Sequence, residues 1–399
     1  MLRTFVQVLR SGAVGRKSLG SRPKRLVRAW LAAHDGDQLF RASVGQDPSL
    51  ADIVKMVHPK PESAERRALY GYLLGKAHDT ALLPATAKAF EAFKAGATTE
   101  VADVPFLLLT ALPLGRREWA AIARQASWQT TRMNLVAFAR HGVFEEAGMA
   151  ELVAAKLRDE AAIRQARVFP YQLLAAWTMA MDVPRVVKDA LEDAMELAMA
   201  NVPAIQGKIY VFPDTSGSMS SPVTGHRKGA TSKVSCLDVA ALVTAALLRK
   251  NPDAEVLPFA EGVKATRLNP RDTVTTNAAA LAALGGGGTN CSAPLAELNR
   301  RRAKGDLVVY VSDNQSWIDV RGGRGTATMQ EWAQFRARNS EAKLVCIDLQ
   351  PYGTTQAGDR ENVLNVGGFS DQVFEVMAAF RKGGIGTDHW AKMIEEVQM

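Results

Sequence analysis

Five side chains stand out by type and spacing. Asp214, Ser216 and Ser218 alternate along Asp214-Thr215-Ser216-Gly217-Ser218-Met219. In an extended segment alternate side chains point the same way, so one carboxylate and two hydroxyls aim at one point. Thr289 ends the run Gly285-Gly286-Gly287-Gly288, whose lack of Cβ atoms lets backbone approach a ligand closely. Asp313, in Ser312-Asp313-Asn314, supplies a second carboxylate. Such an oxygen-only set suits a hard divalent cation, Mg²⁺ first, since Mg²⁺ keeps several waters and seldom takes an all-protein cage. The competing reading is an ordinary turn and helix cap, for which Asp and Ser are equally common.

Two of these groups follow β-rich apolar runs. Strands are expected over residues 208–212, 255–259, 307–311, 343–349 and 363–366, with helices near 235–249, 276–284, 293–302, 329–338 and 371–381. Strand–helix alternation implies a mostly parallel, doubly wound α/β domain at 204–399, with ligands at the carboxyl ends of its strands. Residues 1–203 differ: helical stretches are broken by Pro or Gly, at Pro48, Pro59, Pro61, Pro113, Pro170 and Pro184. That rhythm fits an α-helical, HEAT-like repeat domain. The fold class is therefore α followed by α/β.

Composition narrows the function. The 399 residues are 47% hydrophobic and 23% charged, with net charge +8. No apolar run is long enough to span a bilayer, so no membrane role is expected. Cys236, Cys291 and Cys346 are widely spaced, which argues against a disulfide framework or zinc site and for a reducing cytoplasm. The basic excess favours an anionic partner, nucleic acid first. Residues 1–34 contain no acid but carry Arg16, Lys17, Lys24, Arg25 and Arg28, the last three on one helix face opposite Leu26, Val27 and Trp30. Arg116, Arg117, Arg124, Arg132, Arg140 and His141 form a second basic series. A solvated charged face is the default for both. Trp30, Trp119, Trp128 and Trp177 sit at apolar helical positions and read as core. Enzyme signatures are missing: the Gly run lacks G-K-[ST], and there is no G-x-S-x-G elbow. No catalysis is expected.

The D-x-S-x-S, T, D series resembles the metal-ion-dependent adhesion site of von Willebrand factor A domains. Helical repeats leading into such a domain resemble the TROVE family, the Ro-type ribonucleoproteins. Arg167-Val168-Phe169-Pro170-Tyr171, Gly287-Gly288-Thr289-Asn290-Cys291-Ser292, Ser312-Asp313-Asn314-Gln315-Ser316-Trp317 and His58-Pro59-Lys60-Pro61 carry the likeness, as do Gly15-Arg16-Lys17 and Lys24-Arg25. It implies binding of small noncoding (Y-like) RNA and of defective or misfolded RNA, through Arg16, Lys17, Lys24, Arg25, Arg28, Arg41, His58 and Lys60. It also implies a divalent cation whose coordination a partner's carboxylate completes. The likeness enters partway along the family's helical repeats, so an open arch is expected rather than a closed ring. An uncovered first helix would then expose Leu2, Phe5, Val6 and Leu9. The alternative function is a metal-site adaptor for proteins, without a specific RNA.

Overall fold

The computed structural model describes residues 2–11, 19–45, 47–98, 100–225, 232–313, 327–350, 357, 360–370 and 372–383. Fourteen helices come first in the described chain: α1 (Leu2–Arg10), α2 (Ser21–Ala33), α3 (Gly36–Ala42), α4 (Leu50–Val57), α5 (Ala64–Leu73), α6 (Ala85–Lys94), α7 (Phe106–Leu109), α8 (Arg116–Gln125), α9 (Trp128–Met133), α10 (Leu135–Arg140), α11 (Met149–Leu157), α12 (Glu160–Gln165), α13 (Pro170–Met179) and α14 (Arg185–Ala198). Strands and helices then alternate: β1 (Ile209–Pro213), α15 (Cys236–Lys250), β2 (Glu255–Val256), α16 (Val274–Ala282), α17 (Ala293–Arg300), β3 (Leu307–Ser312), α18 (Ala327–Arg338), β4 (Lys343–Asp348), β5 (Val363–Gly367) and α19 (Val373–Arg381). Among the described residues no strand precedes Ile209. None of their helices is long and apolar enough to cross a membrane.

By packing, the chain forms two compact units. One comprises Met1–Thr130 and Ala137–Met149, the other Thr131–Val136 and Ala150–Met399. The first unit is all helix. Its starts are written locally: Asp35 and Gln38 close a capping box on α3, and Ser49 and Asp52 close another on α4. Each such cap is worth about 1 kcal/mol. Asp37 accepts hydrogen bonds from both the amide and the hydroxyl of Thr86, tying α3 to the start of α6. The core gathers Val27 and Leu31 of α2, Leu39 and Phe40 of α3, Ile53 of α4, Leu69 of α5 and Phe90 of α6. Val6 is fully buried in that core, with Leu2 packed against it, so the expectation of an uncovered first helix is corrected. Only Phe5 (37% exposed) and Val8 (45%) stay open there. Leu26, expected on the apolar face of α2, is 54% exposed; the buried stripe is Pro23, Val27 and Leu31.

The second unit holds the sheet. All five strands are parallel, in the order β2-β1-β3-β4-β5. Alternation along β1 sends Ile209 and Val211 to a core with α15 and α19, and Tyr210 and Phe212 to the opposite core with α17 and α18. Burying a side chain such as Val211 contributes about 1.5–3 kcal/mol. Phe169, Met199, Val202 and Ile205, from the last helical stretch, enter the first of these cores. β2 is shorter than expected, ending at Val256, although Leu257 and Phe259 still donate to Val211 and Pro213. The chain runs from β1 to β2 on one side and then crosses over to β3 on the other side of β1. A crevice at the strands' carboxyl ends results, and open α/β sheets bind ligands there.

Candidate metal centre and candidate nucleic-acid interface

Polar burial is concentrated at that crevice. Of eleven buried polar residues among those described, six lie at the ends of β1 and β3 or on the facing loop: Asp214, Thr215, Ser216, Thr289, Ser312 and Asp313. Asp214 immediately follows β1, and its amide donates to Val311 of β3. Its carboxylate accepts from the Ser216 amide at 2.8 Å and from the Ser312 hydroxyl at 2.7 Å. The Ser216 and Ser218 hydroxyl oxygens are 3.2 Å apart, brought together by a 3-10 turn over Gly217–Ser220 rather than by the extended alternation expected. Burial pushes the Asp214 carboxyl up to about 6, the two serines oppose this, and neighbouring Asp313 adds to it. A bound cation would relieve that buried charge, which is a physical reason for these residues to fit one. The set is oxygen-only and rich in hydroxyls. No group of three His, Cys, Asp or Glu able to hold a metal occurs among the described residues.

The Gly run is laced onto this loop by backbone. The Gly286 amide donates to the Thr215 carbonyl at 2.8 Å and the Gly217 amide to the Gly287 carbonyl at 2.9 Å. Gly286 (φ 116°) and Gly287 (φ 100°) adopt backbone that L side chains rarely take, which explains why glycine stands there. The Lys264 ammonium donates to the Leu284 and Gly286 carbonyls, at 2.5 and 2.8 Å. The amide of Asn290, next to Thr289, donates to Ala260. Lys264 was invisible to sequence reasoning, because nothing in its neighbourhood marks a long-range clamp.

The candidate RNA-binding residues separate into groups. Arg28, His58 and Lys60, from α2 and the α4–α5 connection, line one cavity of about 310 Å³ with Glu62, Arg66 and Tyr70. His58 sits in left-handed backbone (φ 49°) at the end of α4, and the Arg28 Nε donates to the Val57 carbonyl at 2.7 Å. Arg66, not foreseen, donates from one guanidinium nitrogen to the His34 carbonyl, while its Nη1 is buried without a partner among the described residues. Lys24 and Arg25 lie on α2 outside that cavity. Arg41 pairs with Asp103 at 2.8 Å on the surface. Arg16 and Lys17 lie outside the described residues. The second basic series is partly committed: Arg116 pairs with Glu145, His141 stacks on Trp119 at 4.1 Å, and Arg132 donates to the Gln172 carbonyl. Trp119 and Trp128 are buried, as core tryptophans should be, and Trp30 and Trp177 are partly covered.

Residues 208–381 match the family described as the Ro60 vWA domain. That stretch, a little under half of the chain, is similar to Ro60 vWA domains. The resemblance carried by the sequence motifs is thereby borne out, and the α plus α/β architecture with it. Among curated proteins the chain is 28% identical over 365 residues to "RNA-binding protein RO60" of Deinococcus radiodurans, covering 84% of this chain and 66% of that protein. It is 24% identical over 276 residues to "RNA-binding protein RO60" of Caenorhabditis elegans, covering 63% and 40% respectively. The chain thus spans two thirds or less of these relatives' lengths. The crystal structure of the Deinococcus radiodurans RO (RSR) protein is similar in fold, with a TM-score of 0.70 at 23% identity over 96% of this chain and 83% of that one.

Within the vWA domain a further carboxylate, Asp348, ends β4 level with Ser312 of β3. Burial pushes the Cys236 thiol, at the first turn of α15, up to about 12, with Asp313, Asp348 and Asp214 adding to it. Periodicity alone does not bring Asp348 forward, because the five-position motif ends at Asp313.

Proposed function

We propose that this protein is a non-enzymatic RNA-binding protein that takes small noncoding, Y-like RNA on its helical unit and also accepts defective RNA ends. The observation that carries the reading is the basic cavity. Arg28 and, thirty and thirty-two positions further on, His58 and Lys60, all singled out from sequence, share it with Arg66. A phosphate oxygen is an acceptor of the required charge, and guanidinium–phosphate bonds are strong and directional. The similarity to two proteins named RNA-binding protein RO60 supports the same reading. We further propose that the vWA domain holds a divalent cation, Mg²⁺ first, through Asp214, Ser216, Ser218, Thr289 and Asp313, and that a partner's carboxylate completes it. Three free cysteines fit a reducing cytoplasm.

The test of the RNA reading is crosslinking of the protein to cellular RNA, followed by sequencing of what is bound. Recovery of structured small RNAs is expected. Recovery of none above background, with protein partners captured in their place, would favour the adaptor reading. The buried hydroxyl-rich crevice is the specific observation on the adaptor's side.

A further inference from the structure

The Arg167–Tyr171 stretch is used neither by the metal crevice nor by the basic cavity. Arg167 has φ 47°, left-handed backbone that is uncommon and strained for a residue with a side chain. Its neighbours impose this. Val168 is fully buried, Phe169 is 6% exposed, and Pro170 opens α13. The Asn201 carboxamide donates to the Val168 carbonyl at 2.6 Å. The turn delivers Arg167 to a cavity of about 420 Å³, lined also by Tyr171, Gln172, Phe369, Gln372 and Glu375. Tyr171 and Phe369 meet edge to face, with ring centres 4.8 Å apart, and both are half-buried. Arg167 is exposed and forms no ion pair among the described residues. All these residues belong to the second unit.

We infer that this cavity binds one nucleotide of single-stranded RNA. The aromatic pair offers a ring face and edge for an unstacked base, and stacking of that kind tolerates any base. The carboxamides of Gln172 and Gln372 are able to pair with base edges, and the Glu375 carboxylate to accept from an exocyclic amino group. The Arg167 guanidinium takes the adjoining phosphate. The inference rests on the RNA reading above but places its contacts in a different unit from the basic cavity.

The test uses the full chain and a single-stranded hexaadenylate carrying one 2-aminopurine. Wild type should quench the 2-aminopurine emission on binding. Phe369→Leu, which keeps an apolar filler, should lose the quench and about tenfold in affinity. Arg167→Gln and Gln372→Ala are surface changes that leave packing intact, and each should weaken binding severalfold. Glu151→Gln, an exposed change on α11, should leave the quench unchanged. No quench with wild type, or wild-type binding by Phe369→Leu and Arg167→Gln alike, overturns the inference. Loss of hexamer binding in Lys60→Ala alone also overturns it, since the strand then sits in the basic cavity and the RNA reading survives. Failure of wild type to bind structured RNA as well removes that reading too.

Discussion

Asp214 is a buried carboxylate whose own chemistry opposes its ionisation. Its pKa rises from 3.8 to about 6 on folding, so the native state holds the proton more tightly than the unfolded chain does. Stability should therefore fall as pH rises through that window, and the cost, about 3 kcal/mol, is complete above it. Asp214→Asn removes the charge while keeping an acceptor for the Ser216 amide and a donor for Ser312. In chelator the variant should melt higher than wild type at pH 7 and equally at pH 4. Adding Mg²⁺ should raise the melting temperature of wild type only. Equal melting of both proteins in chelator at pH 7 would show that the carboxylate is not strained. Asp214, Ser216, Ser218, Thr289 and Asp313 come forward in the sequence because strand ends and a glycine run are local signals, while the 3-10 turn that carries Ser218 is not. Arg66 was not, since its neighbours Glu65 and Arg67 make it look like one more charge on a solvated helix. Its burial depends on α2 and the His34 carbonyl, thirty-two residues away.

At the level of elements, β1, β3, β4 and β5 fall within a residue of their expected positions, β1 and β3 because they are continuous apolar runs buried on both faces, whereas β2 ends three residues early. α7 has only four residues and opens directly after Pro105, which disfavours helical backbone at Val104. What no local pattern reveals is how the Gly run is held. Lys264 bridges the carbonyls after α16, so Lys264→Met should leave two carbonyls without their donor. A loss of about 1–3 kcal/mol is expected in denaturant titration. Mg²⁺ affinity by calorimetry should fall with it, while Lys264→Arg should restore part of both. Unchanged affinity in Lys264→Met would mean that backbone bonds alone position Thr289.

For the whole molecule the net charge of +8 is a statement about partners. If RNA sits on the helical unit through about six phosphates, affinity should drop on the order of a thousandfold between about 50 and 200 mM salt. Lys60→Ala should reduce the slope of log affinity against log salt by about one, and Asp214→Asn should leave it alone. A slope unaffected by Lys60→Ala would move the phosphate track elsewhere. The change of hydrophobic period after residue 203 is legible in the sequence, whereas the packing units are not, since residues 150–203 pack with the sheet through Phe169, Met199, Val202 and Ile205. One feature of the sheet also bears on how the protein is made. The Ser312 hydroxyl that holds Asp214 lies 98 residues further along the chain, and every β1–β3 pair spans a similar distance. Pairings so remote close slowly and late. A ribosome must therefore deliver β3 before the crevice around Asp214 exists, whereas the first unit is synthesised well before it. In refolding, Mg²⁺ should accordingly change the amplitude of the slowest phase and leave the early helical signal untouched.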